Sequence, residues 1–272
     1  MTSETNMTGS GTAGATTSDR VRQGVVLVGA VAAVVAAAWG SGAFGGPSQP
    51  EVGDGALAPD ATLLAPGRPA FSIWSVIYAG LVVWAVRQAL PGRATDARER
   101  ATGWLLLASM LGNAAWLAVV QTGLLGLSVP VIVGLLAVLV ALMLTLLRLP
   151  AASTTDTVVM DGTAGLYLGW VCVATVANVA AVLADAGVRD LGLGAETWAV
   201  IILTVTAAIG VALAVRTRGR LAVAAALAWG LAWIAVARST GEPASTPTAV
   251  AAGAAAAVVV GVTVAVRFRH RT

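Results

Sequence analysis

The chain has 272 residues, 58% of them hydrophobic and 11% charged, with a formal net charge of +3 and a mean hydropathy of +0.86. A soluble domain is roughly 45–50% apolar and about 25% charged, so this chain lacks the polar surface to cover a water-soluble globule. A soluble enzyme domain, a disordered chain and a secreted disulfide scaffold are thereby excluded; at about 20 apolar residues per crossing, the apolar content suffices for about eight membrane spans.

Every basic residue is Arg and there is no Lys, so neither a phosphate-loop lysine nor a Schiff-base lysine exists. The arginines sit in short loops between apolar runs. Nucleic acid needs a contiguous basic face, so it is not an expected partner. Cys172 and His270 are the sole residues of their types. Transition-metal sites need clustered Cys and His; no metal and no cofactor is expected.

Residues 1–22 read as a disordered cytoplasmic tail, rich in Thr, Ser and Gly up to position 19. Apolar runs follow at 24–44, 70–90, 104–121, 125–147, 163–185, 196–215, 221–238 and 249–267, each bounded by Arg, Asp, Pro or Gly as helix ends should be. The expected fold is an all-α integral membrane protein. A cleaved signal peptide competes for the first run, because Arg20 and Arg22 precede it; the run is long for such a segment and reads as a span. Gly40, Gly42 and Gly45 fit G-x-G-x-x-G, which marks a dinucleotide site only between a strand and a helix. Here it ends a span and opens a Gly/Pro loop.

The acidic residues avoid the span centres. Asp161 and Asp185 flank the fifth span and Glu196 opens the sixth, so all three are expected to reach an interface. An ion-coupled transporter usually keeps a carboxylate at membrane depth, which disfavours that reading. In the last span Gly253, Ala257, Gly261 and Ala265 recur every fourth residue. Such small residues let helices approach closely, within the chain or in a homo-oligomer.

Aromatic and amide side chains inside the spans remain. Phe71, Trp74 and Tyr78 share one face of the second span, Asn113 and Trp116 one face of the third, and Tyr167, Trp170, Ala174 and Asn178 one face of the fifth. Two readings stand side by side: a shared pocket, or amides as interhelical glue with tryptophans in the interfacial belt. Trp104 and Trp198, at span starts, are read as belt residues.

The same residues resemble the TspO/MBR family, the translocator and tryptophan-rich sensory proteins. Pro69-x-Phe71-x-x-Trp74-x-x-x-Tyr78 resembles the family's second helix, and Asn113-x-x-Trp116 its third. Tyr167-x-x-Trp170-x-x-x-Ala174-Thr175-x-x-Asn178 is similar to its fifth. Leu166 stands where the family usually has proline. The loop at 45–69 keeps Pro47, Pro50, Pro59, Pro66 and Pro69 but not the tryptophan–proline cluster. The resemblance covers about 24–187. It implies a five-helix transmembrane domain over 23–187, with 188–272 as three additional transmembrane helices. It further implies an apolar pocket roofed by the 45–69 loop and lined by Phe71, Trp74, Tyr78, Asn113, Trp116, Tyr167, Trp170, Ala174 and Asn178. A tetrapyrrole or another apolar small molecule is the implied ligand, and binding or sensing the implied function. A transporter and a light- or oxygen-driven porphyrin-modifying enzyme are the alternatives. Without His, Cys or carboxylate among those residues, acid–base catalysis lacks an agent.

Placing the N-terminus inside leaves only Arg68, Arg189 and Arg238 in outer segments and the other thirteen arginines inside. The positive-inside rule weights such short loops, so both termini are expected in the cytoplasm of a plasma or inner membrane. Accordingly, alkaline phosphatase fused after Thr272 is expected to be inactive and a fluorescent protein at the same point bright. An active phosphatase there would reverse the topology.

Overall fold

The computed structural model describes residues 14–40, 55–188 and 192–270. Most of the expected tail, Gly42 and Gly45 of the glycine pattern, the loop up to position 54, Arg189 and Arg271 lie outside the described residues. Eight helices run α1 Thr17–Gly40, α2 Ile73–Ala89, α3 Ala97–Gln121, α4 Leu125–Arg148, α5 Thr154–Asp185, α6 Ala195–Arg216, α7 Leu221–Thr240 and α8 Thr246–Arg269. Each is long and apolar enough to cross a bilayer, and no strand occurs among the described residues. The protein is an all-α, multi-pass integral membrane protein, as composition requires.

Three helices begin earlier than their apolar runs, each for a polar reason. In α1 the Thr16 hydroxyl accepts from the Asp19 amide at 3.2 Å, and the Asp19 carboxylate accepts from the Thr16 amide at 3.0 Å. This reciprocal cap draws Thr17–Arg22 out of the expected tail and into the helix. At α3 the Asp96 carboxylate accepts from the Arg98 and Glu99 amides at 2.9 and 3.2 Å. Partial burial pushes the Asp96 carboxyl up, but those amides and the Arg93 guanidinium outweigh it and hold it below its ordinary value. At α5 the Ser153 hydroxyl caps Asp156, and a wide π-type turn spans Thr157–Gly162. With 3.6 residues per turn, a regular helix would send Asp156 and Asp161 to different faces. The i→i+5 turn brings both inward.

These early starts build a buried ionic network at one end of the bundle. Arg87 pairs with Glu99 at 2.6 Å and with Asp156, while the Trp84 indole donates to Glu99 at 2.9 Å. Arg98 reaches Asp161 at 2.5 Å and Arg220 reaches it at 2.9 Å. Arg100 joins Asp19 at 2.5 Å, and Arg22 donates to the Ala94 carbonyl at 2.9 Å. The interface expected for Asp161 is therefore corrected: it is buried and held by two arginines, because α5 continues past the apolar run. Glu196 accepts from the Ser245 hydroxyl at 2.7 Å, and Asp185 is exposed. Among the described arginines only Arg68 and Arg238 lie at the opposite end, which is called the loop end below.

Apolar packing forms two clusters. One gathers residues of α1–α5 with Val223 and Ala226 of α7; the other gathers α6–α8 with Val173 of α5 and Leu64. Between them α5 and α7 approach through glycines. A Cβ on Gly169 would stand 2.2 Å from the Val223 carbonyl oxygen, and one on Gly165 would stand 2.8 Å from the Ala222 Cβ. Gly165 and Gly169 thus supply the small-residue crossing. The stripe expected to do so in α8 does not pack within the chain. Ala257, Gly261 and Ala265 are exposed, and the buried face is Ala252, Ala255, Val259 and Thr263.

Gly169→Ala is expected to lower thermal stability in detergent by about 1–3 kcal/mol, since the added methyl meets backbone that cannot swing away. Gly134→Ala, which meets nothing within 4 Å, is expected to leave stability unchanged or raised.

Candidate functional site

The aromatic face of α2 meets α5 near the loop end. Trp74 stacks on Tyr78 with ring centroids 5.2 Å apart, and meets Tyr167 at 5.7 Å and Trp170 at 6.2 Å edge-on. Phe71 meets Trp170 edge-on at 5.7 Å. Edge-to-face contacts suit the ring quadrupoles and fix the rings at right angles instead of in one stack. Trp74 is the hub.

Around this hub the nine residues expected to line a pocket fall into two groups. Tyr78, Asn113 and Tyr167 face α1 across a water-sized void of about 10 Å³. There Asn113 Nδ2 donates to the Tyr78 hydroxyl at 2.8 Å and the Tyr167 hydroxyl donates to the Ser109 carbonyl at 3.0 Å. Phe71, Trp116, Trp170, Ala174 and Asn178 line a different cavity, of about 50 Å³, beneath the loop residues Ala56, Leu57, Thr62, Ala65 and Pro66. Trp74 lies between the two groups.

The amides already have protein partners. Asn178 Oδ1 accepts from the Trp116 indole at 3.1 Å, and its Nδ2 donates to the Ser128 hydroxyl at 2.8 Å, which itself donates to the Leu125 carbonyl at 2.6 Å. One amide so ties α3, α4 and α5 together, the glue role the sequence left open. Unsatisfied groups lie elsewhere on the same cavity wall: among the described residues, Trp170 Nε1 and Thr62 Oγ1 are buried with no hydrogen-bond partner. A buried polar group without a partner costs about 1–3 kcal/mol. Both residues line the cavity. No lining residue is His, Cys, Asp or Glu.

The roof is fastened by α7, which sequence reasoning assigned no part in the site. Arg238 is 1% exposed. It donates to the carbonyls of Pro59 at 2.6 Å, Thr62 at 3.3 Å and Pro243 at 3.0 Å. The Gly67 amide donates to the Trp233 carbonyl at 3.3 Å and the Trp229 indole to the Ala70 carbonyl at 2.9 Å. An arginine among apolar residues at a span end was the available signal, since such a charge needs internal partners. Trp198, at a span start, also lines a cleft between α5 and α6, whereas Trp104 is 49% exposed.

Arg238→Ala is expected to lower thermal stability and to speed proteolysis within 55–66, because three carbonyls lose their donor. Arg68→Ala, at an exposed position of the same loop, is expected to do neither. Equal protease sensitivity in both variants would show that Arg238 does not hold the roof.

No curated protein and no solved structure matches the chain. A family model described as TSPO-like protein matches residues 23–265, from the second turn of α1 to near the end of α8. With nearly the whole chain covered, this eight-span membrane protein belongs to the TSPO-like family.

Proposed function

We propose that the protein binds a flat apolar ligand of the tetrapyrrole type at the aromatic cavity, and that binding, without chemistry on the ligand, is its function. The observation that carries this reading is the Trp170 indole N–H, buried and unpartnered beside a wall of aromatic rings. Rings at right angles give a flat molecule one face to stack on and one edge to meet. Few, placed polar groups in an apolar cavity are the usual basis of such recognition. The cavity of about 50 Å³ lies well below the roughly 300–1,000 Å³ of a ligand-sized pocket. The bound state therefore requires the 55–66 loop to shift outward or the occupant to extend past it.

The rest of the reading follows from charge and packing. The positive-inside rule puts the arginine-rich end in the cytoplasm and the roofed cavity on the outer side of a plasma or inner membrane. The division into a five-helix unit over 23–187 and three further helices over 188–272 is kept as part of the proposal, with α7 serving the site through Arg238.

Titration with protoporphyrin, followed by quenching of tryptophan fluorescence, tests the reading. Trp170→Phe keeps an aromatic ring and removes the N–H; it is expected to weaken binding about tenfold, the equivalent of about 1.4 kcal/mol. Trp116→Leu is expected to weaken it roughly ten- to a hundredfold, on a stacking scale of about 1–3 kcal/mol per flat partner. Trp104→Leu is expected to leave it unchanged. If Trp104→Leu is as harmful as Trp170→Leu, the cavity is not the site.

A further inference from the structure

The roof that α7 straps down leaves the aromatic cavity closed above, but its side wall is thin. Ala56, Thr62 and Ala181 line both the cavity and a second, larger cleft of about 570 Å³. That volume is ligand-sized, within the roughly 300–1,000 Å³ range. The cleft is walled on one side by the last turns of α5, with Ala180 and Ala184, and on the other by the first turn of α6, with Ala195 and Trp198. It exists because α6 packs on α8 and hardly touches α5. The residues common to cleft and cavity are two alanines and a threonine, all small side chains.

The geometry points to this cleft as the side port through which an apolar ligand passes from the membrane surface to the aromatic cavity. The inference rests on the binding proposed above. Three observations on the described residues support it. The loop end is fastened at Pro59, Thr62, Gly67 and Ala70 by hydrogen bonds from or to α7, so entry directly through the roof would have to break them. Both flanking elements are helices of membrane-spanning length, and the cleft lies at their loop-end turns, where an apolar molecule at the membrane surface can enter. The cleft is lined by Leu63, Leu64 and small alanines together with the exposed Asp185 at the last turn of α5. Thr62 stands at the junction with an unpartnered hydroxyl, a transient partner for the ligand's acceptor before it meets the Trp170 indole.

A port and a binding site differ kinetically. Obstructing a port raises the barrier for both directions and leaves the endpoints alone, so association and dissociation slow together. Full-length protein in phosphatidylcholine vesicles is mixed rapidly with protoporphyrin, and tryptophan quenching is followed in time. Ala184→Phe and Ala195→Phe fill the cleft from opposite walls, and neither residue lines the cavity. Each is expected to slow both rate constants about tenfold while the dissociation constant stays within about threefold, against rates that otherwise vary by about one to three decades within one interface. Unchanged rates in both variants, with binding intact, would place the route elsewhere. A weakened affinity with unchanged association would make the cleft part of the site and overturn the port. Absence of quenching in the unmodified protein would remove the binding reading itself, and the port with it.

Discussion

A buried guanidinium between two carboxylates, Arg87 with Glu99 on one side and Asp156 on the other, sets the terms for the whole bundle. In hydrocarbon a charge has no water to fall back on, and removing one partner of a buried pair costs about 3–5 kcal/mol. The α2, α3 and α5 ends that bring these groups together are therefore fixed relative to one another. Arg98 and Arg220 extend the constraint to α7 through Asp161, and Arg22 and Arg100 extend it to α1 through Ala94 and Asp19. Early helix starts, caps and the wide turn in α5 all serve that convergence.

With one end locked, the opposite end is free to be lightly built. Around the cavity the polar groups are neutral: an indole, a hydroxyl and an amide already occupied by Trp116 and Ser128. The loop is tied to α7 by Arg238, by the Trp229 indole and by the Trp233 carbonyl, and the residues shared by cavity and cleft have small side chains. Such a contrast suits the proposed binding of an apolar molecule without loosening of the helices. Rigidity comes from charge pairs at one end, and adjustability from small residues at the other.

The crossing of α5 over α7 joins these two regimes. Gly165 and Gly169 let the backbones touch, so α7 passes close enough for Trp229, Trp233 and Arg238 to reach the loop between α1 and α2. The helices beyond position 187 carry no aromatic pocket residue, yet they hold the roof. A five-helix reading of the site omits the donors that keep its loop in place.

Composition and period sufficed for much of this. Eight apolar runs, separated by arginine-bearing segments or, between the third and fourth, by a Thr-Gly turn, specify eight spans whatever their packing, because hydrocarbon thickness sets helix length and unpaired backbone is excluded from it. The facial spacing of Phe71, Trp74 and Tyr78, and of Tyr167, Trp170 and Asn178, likewise needs only the helical period. Tertiary structure decided everything that depends on which faces meet. Hydropathy saw Asp161 as a span boundary because it averages over neighbours in sequence; its arginines come from α3 and the start of α7. The glycines of α8 looked like a packing stripe and face outward, while Gly165 and Gly169, equally spaced, carry the contact. Trp198 reads as a belt residue, and it also lines the cleft between α5 and α6. Spacing along one helix states which side chains share a face, and only the neighbouring helix determines whether that face is core, lipid surface or cavity wall.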